Sequence, residues 1–134
     1  MEEFVDEEME PDPELNRFTN AIIGAAIAVH KEIGPGFDES VYEEALAIEF
    51  GERGIPFKRQ HPIEVLYRGR VVGKGRLDFL VFDQVIVELK SVETIAPVHV
   101  AQVLAYLRAT KMKLAIIINF NVKLLKNGIK RVAL

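Results

Sequence analysis

The sequence predicts an α+β fold, a mixed central sheet flanked by helices in the order ααβββαββ. Three observations lead there. Two stretches with apolar residues at helical spacing precede a run of strand-like segments, and a third helical stretch separates that run from a continuous apolar segment, Leu114 to Asn119. Apolar residues make up 49% of the 134, enough for one core and one domain.

The first helix opens at Asp12-Pro13-Glu14, an N-cap, a first-turn proline and an acid that suits the helix dipole. Leu15, Phe18, Ile22, Ala25, Val29 and Ile33 recur at helical spacing until Gly34-Pro35 ends it. His30 lies near its C-terminus, where a cationic imidazole is mildly favoured, so its expected role is structural. Asp38 is placed to cap a second helix running to about Arg53, with Gly54 just past its end. Val41, Tyr42, Ala45, Leu46 and Phe50 form its expected buried stripe, and Glu39 sits in the first turn on the same side as Tyr42 and Glu43.

Phe57 to Tyr67 reads as a strand in which Pro62 marks a bulge or an edge, and Arg68-Gly69 turns it into the next strand. Gly73 and Gly75 precede Asp78, and their missing side chains would admit a backbone or a ligand. Phe82-Asp83-Gln84 is a corner returning the chain into the strand that starts at Val85. Pro97 opens a third helix with Val100, Val103, Leu104 and Leu107 inward and His99, Gln102 and Tyr106 together on another side. Leu114 to Asn119 is a buried strand, and Asn127-Gly128 turns into a last short one, Ile129 to Val132.

Charge is unevenly spread. Residues 1–14 hold eight of the 20 acids and no base, so from Leu15 onward 17 bases face 12 acids, a formal +5 within a chain of net −3. Residues 1–11 are poor in apolar groups and carry one sign of charge, which predicts a disordered acidic tail ahead of a single domain, 12–134. The tail is either a solubility segment or a flexible competitor that folds over the basic hairpin. Arg53, Lys58, Arg59, Arg68, Arg70, Lys74 and Arg76 are opposed in their span only by Glu64, a pattern that suits a phosphate backbone or, equally, a solvated edge. The absence of cysteine excludes disulfides and thiolate metal sites. With no apolar run of membrane-spanning length, the expected setting is cytoplasmic, without a membrane partner.

The chemistry concentrates in residues 75–90. Asp78, Glu88 and Lys90 interrupt otherwise apolar strands, and charges there are costly to desolvate unless paired or bound to a metal. Phosphodiester hydrolysis needs a Lewis acid, an activated water and relief of charge at the leaving oxygen. Asp78, Glu88 and the carbonyl of Leu89 offer a half-shell of hard oxygens for Mg²⁺ or Mn²⁺, with Lys90 aimed at the reacting phosphate. Asp78 and Glu88 can share an ion only on one face of their hairpin. A two-residue turn at Asp83-Gln84 would separate them, so a three-residue corner or a bulge is expected.

Asp78 with Glu88-Leu89-Lys90 resembles the core of the PD-(D/E)xK nuclease superfamily, and Gln102-x-x-x-Tyr106 resembles its QxxxY element. Gly36-Phe37-Asp38-Glu39-Ser40-Val41-Tyr42 is similar to the signature of the GxxExxY family of small proteins within it, although Leu77 stands where the superfamily has proline. The likeness runs from about Ile22 to the C-terminus and includes Ile33-Gly34-Pro35-Gly36 and Ile118-Asn119-Phe120-Asn121. It implies a restriction-endonuclease-like core and a Mg²⁺-dependent nuclease with DNA as the expected substrate. By the same resemblance Glu39, Asp78, Glu88, Lys90 and Gln102 are catalytic, with Glu39 joining the metal ligands. Tyr106, Tyr42 and His99 are expected to line the site, although a helix cap suits His99 better. Arg68, Arg70, Lys74 and Arg76 are the expected nucleic-acid contacts, and a homodimer is compatible with the pattern. A nucleic-acid-binding or regulatory module of the same fold, without turnover, remains the alternative.

Overall fold

The structure is a computed structural model that describes residues 4–5 and 12–134. Its elements are β1 (Phe4–Val5), α1 (Pro13–Ile33), α2 (Glu39–Glu52), β2 (Phe57–Tyr67), β3 (Arg70–Val81), β4 (Val85–Lys90), α3 (Pro97–Thr110), β5 (Leu114–Asn119), a 3₁₀ turn (Leu125–Gly128) and β6 (Ile129–Ala133). From α1 onward this is the predicted ααβββαββ. The predicted disorder of residues 1–11 lies outside the described residues except at β1, which pairs with β6 at the sheet edge. The sheet runs β1-β6-β5-β4-β3-β2, with β4 and β5 parallel and every other pair antiparallel. No helix among the described residues is long and apolar enough to cross a membrane.

Each face of the sheet is covered because each has its own apolar set. Phe79, Val81, Val85, Val87, Leu89, Ile116 and Ile118 pack with Ile22, Ala26 and Val29 of α1 and Tyr42, Leu46 and Phe50 of α2. Leu80, Ile86, Ala115 and Ile117 pack with Val103 and Leu107 of α3 on the opposite face. The Asp12 carboxylate caps α1 as expected, accepting from the backbone N–H groups of Glu14 and Leu15 at 2.8 and 3.4 Å. Pro62 lies in the edge strand, consistent with its missing N–H. The Arg68-Gly69 turn closes the β2–β3 hairpin with positive φ at both residues.

The corner between β3 and β4 is the local feature that matters most. It has three residues, Phe82 to Gln84, with Phe82 and Asp83 both left-handed at φ 56° and 55°. That conformation costs an L-residue about 1–2 kcal/mol. It is held because the Phe82 ring stacks on Phe18 at 4.2 Å and its N–H donates to the Pro56 carbonyl at 2.9 Å.

Four expectations need correction. Val41 is exposed, so the buried stripe of α2 is Tyr42, Leu46 and Phe50 with Ala45 at its margin. Asp38 occupies the cap position of α2 but makes no side-chain capping bond. Asn127-Gly128 ends a 3₁₀ turn rather than forming a hairpin turn, and glycine is required at 128 because a Cβ would collide with the Asn119 carbonyl. The basic run is partly neutralised: Arg53 pairs with Glu49, Lys58 with Asp83, and Arg59 with Glu43 and Glu44. Those acids lie on α2 and in the corner, outside the sequence window in which the run looked unopposed.

Candidate active site

β3 pairs with β4 through Phe79↔Val87, Leu80↔Ile86 and Val81↔Val85, and continuing this register brings Asp78 opposite Glu88. The three-residue corner therefore produces the alignment that a two-residue turn would have destroyed. At Asp78 the backbone ladder gives way to side chains. The Asp78 N–H donates to Glu88 Oε2 at 2.7 Å, and the Leu89 N–H donates to Asp78 Oδ2 at 2.8 Å. Each carboxylate thus satisfies a backbone amide on the opposing strand.

Side-chain alternation also breaks here. Leu77 packs on the α3 face with Leu80, whereas Phe79 packs on the face covered by α1 and α2. Strict alternation would put Leu77 and Phe79 together. The switch falls at Asp78, across from Gln60, which has φ 49° and lies between the pairs Arg59↔Phe79 and His61↔Leu77. Such an irregularity re-aims a side chain at a chosen point of a sheet.

Burial makes the pair electrostatically unusual. Glu88 is 4% exposed, and its carboxyl is pushed up to about 8, first by burial and then by the negative charge of Asp78; the Asp78 N–H and Lys90 offset this only in part. Asp78 is also raised, chiefly by burial, with Glu43 and Glu39 adding to the shift and the Leu89 N–H and Lys90 opposing it. Lys90 follows Glu88 by two residues on β4 and is the cation that acts on both carboxyls. Glu39, exposed in the first turn of α2, adds negative charge that both carboxyls feel, the smallest of the contributions to either.

Tyr106 approaches from α3. Its hydroxyl is raised by burial and then by Glu88 and Asp78, and its ring lies over Gly75, where a Cβ would sit 3.1 Å from Cε1. A side chain at 75 would crowd this ring and Ile63. Gln102 is exposed one turn earlier on the same helix. His99 caps that helix, its Nδ1 accepting from the Ala96 N–H at 2.9 Å. The expectation that Tyr42 lines the site is corrected. Tyr42 is fully buried and stacked on Phe120 at 4.5 Å, and its hydroxyl donates to the Gly34 carbonyl at 2.6 Å while accepting from the Phe37 N–H at 3.2 Å.

Two contributors were not selected from the sequence. Glu43 acts on Asp78 more strongly than Glu39 does while accepting from Arg59 and Gln60. Its spacing of four from Glu39 was the available signal. Asn119, 2% exposed, accepts from the Val92 and Asn121 N–H groups and donates to the Val92 carbonyl, while the Phe120 N–H donates to the Lys90 carbonyl at 3.0 Å. Ser91 donates to the Phe37 carbonyl at 2.6 Å. The backbone around Lys90 is thereby fixed to β5 on one side and to the loop before α2 on the other.

The donor set suits a hard divalent cation. Two abutting carboxylates resist ionising together, and a bound cation removes that penalty. Among the described residues no three of His, Cys, Asp and Glu converge tightly enough to enclose an ion.

A family model of the PD-(D/E)XK nuclease superfamily matches residues 16–132. No curated protein and no solved structure matches the chain. With the mixed sheet, the opposed Asp78 and Glu88, and Lys90 two residues on, the match over nearly the whole described domain places this chain in the PD-(D/E)XK nuclease superfamily, with a restriction-endonuclease-like fold.

Proposed function

We propose that this protein is a divalent-metal-dependent nuclease that hydrolyses DNA phosphodiesters at the Asp78–Glu88–Lys90 centre. The observation that carries the reading is the reciprocal bonding of the Asp78 and Glu88 carboxylates to each other's strands across β3 and β4, with Glu88 buried and Asp78 partly so, both raised by burial, beside Lys90. Asp78, Glu88 and the Leu89 carbonyl are the proposed ligands of Mg²⁺ or Mn²⁺, and Glu39 of α2 adds negative charge that acts on both carboxyls. The ion supplies Lewis-acid polarisation of a phosphoryl oxygen and an activated water at neutral pH. Lys90 stabilises the charge that develops on the phosphate, and Gln102 and Tyr106 orient the substrate from α3.

Membership in the GxxExxY family is part of the proposal. Its signature residues have local work to do: the charge of Glu39 acts on both carboxyls, and Tyr42 holds the loop to which Ser91 is bonded. DNA is favoured by the hairpin. The β2–β3 pairing runs far beyond the three residues of β3 that pair with β4, and along this ribbon Arg68, Arg70, Lys74 and Arg76 are exposed without an ion pair among the described residues. A two-stranded ribbon fits the major groove of B-DNA, whereas that of A-form RNA is too narrow to be read. A cytoplasmic setting belongs to the same proposal.

The test is incubation of the purified chain with single-stranded, duplex and branched DNA and with RNA, in Mg²⁺, in Mn²⁺ and in EDTA. Metal-dependent cleavage of DNA is expected. Retention of nucleic acid with no cleavage under either ion selects the binding-module alternative. We place the homodimer contact of this proposal at the ribbon tip, where Val65, Leu66, Tyr67, Val71 and Val72 are exposed. Sedimentation velocity is expected to show a dimer that Leu66→Lys with Val72→Lys dissociates, and a monomeric wild type removes this assignment.

A further inference from the structure

A second basic feature lies outside the carboxylate centre. A cavity of about 420 Å³ opens where the end of α1 meets the segment after β5, and Lys31, Lys123 and Lys126 line it together with His30, Gly34 and Pro35. No acidic residue lines it, and none of the three lysines has an ion pair among the described residues. Lys31 alone would be an ordinary cation at a helix C-terminus. Lys123 and Lys126 come from a different segment, and their convergence needs another account.

The walls are held in place. His30 Nε2 is 2.8 Å from the Val122 carbonyl, which can only accept, so the ring N–H donates there and ties α1 to the segment carrying Lys123. The Gly34 carbonyl on the other wall is fixed by the Tyr42 hydroxyl. The cavity is also joined to the active centre. The Phe120 N–H is bonded to the Lys90 carbonyl, and Lys123 is three residues farther on, within about 11 Å of Phe120 along the chain. On the opposite wall, Gly34 leads into the loop whose Phe37 carbonyl accepts from Ser91, the residue after Lys90.

We propose that this cavity is a phosphate-binding site, which holds the nucleic-acid backbone a short way along the strand from the phosphate at Lys90. Ammonium groups bind phosphate as point charges, so the contact is independent of base sequence. The ribbon cations lie on the β3 side of the carboxylates and the cavity on the β5 side, so a strand engaging both would be drawn across the centre. The placement relative to cleavage rests on the nuclease reading, whereas the phosphate chemistry of the cavity does not. An internal phosphodiester and a terminal phosphate monoester offer the same oxygens.

The experiment is fluorescence anisotropy with labelled single-stranded and duplex DNA, each with and without a 5′-phosphate, in EDTA across a salt series. Wild type is compared with Lys123→Ala/Lys126→Ala and, as a control of equal charge change, Lys111→Ala/Lys113→Ala at the opposite end of β5. The cavity variant is expected to lose about tenfold in affinity and to lower the salt slope by roughly one to two, in line with losing about two phosphate contacts. The control is expected to bind as wild type does. Loss confined to 5′-phosphorylated DNA identifies the terminal monoester as the ligand, and equal loss on both identifies the internal backbone. Equal weakening in the control, unchanged affinity in the cavity variant, or no binding by wild type overturns the proposal. Cleavage with Mg²⁺ is read in parallel. Cleaving wild type with an indifferent cavity variant removes the cavity alone, whereas cavity-dependent binding without cleavage under any divalent ion removes the nuclease reading alone.

Discussion

Lys90→Ala is expected to bind Mg²⁺ as wild type does and to cleave DNA about 10²-fold more slowly or worse. The lysine is not among the proposed ligands, so its removal spares the metal shell. What is lost is a fixed positive charge beside the reacting phosphate, and removing one such stabiliser costs about 10²–10³ in rate. Asp78→Ala and Glu88→Ala are expected to lose metal binding and cleavage together, because one remaining carboxylate holds Mg²⁺ poorly. Titration calorimetry with Mg²⁺ and a cleavage assay on the same preparations separate the two behaviours. If Lys90→Ala cuts at the wild-type rate, the lysine only balances the charge of the pair. If Glu88→Ala binds metal like wild type, the proposed centre is wrong.

Metal-free Glu88→Gln is expected to melt about 5 °C or more above wild type at pH 9 and level with it at pH 4. The direction follows from the raised carboxyl. Burial first and then the charge of Asp78 push the folded Glu88 carboxyl up to about 8 from an ordinary 4.5, so the folded state holds its proton more tightly. The stability gained is fully present below the ordinary value and is lost as pH rises through the folded one. At about 1.4 kcal/mol per unit the difference reaches several kcal/mol. Glutamine keeps an oxygen acceptor for the Asp78 N–H while removing the charge that burial and Asp78 oppose. Saturating Mg²⁺ is expected to reverse the order, since only wild type gains from binding it. Thermal melts at the two pH values, with EDTA and with Mg²⁺, give the answer. Parallel curves at pH 4 and pH 9 would show that ionising Glu88 carries no penalty.

Much of this protein was legible in the sequence because it depends on local periodicity. The apolar spacing of Leu15 to Val29 and the cap at Asp12 define α1, and the continuous run from Leu114 to Asn119 reads as a strand buried on both faces. Asp78, Glu88 and Lys90 stood out because charge within β-branched strands demands a compensating partner. The three-residue corner was one of two arrangements anticipated, since that length or a bulge brings the two acids onto one face.

The remaining features depend on contacts between segments far apart in sequence. Tyr42 is a buried clamp because Phe120, 78 residues later, supplies the ring it stacks on. Arg53 and Arg59 are paired with acids of α2 and Lys58 with Asp83 of the corner, so the apparent run of seven cations comes down to the four on the ribbon. The face switch at Asp78 involves a distortion of β2 at Gln60, which alternation within β3 alone cannot register. Periodicity thus determined the elements and the chemical groups they carry. Packing decided which carboxylates lost their water and which cations kept theirs, because desolvation and ion pairing depend on neighbours that only the folded chain brings together.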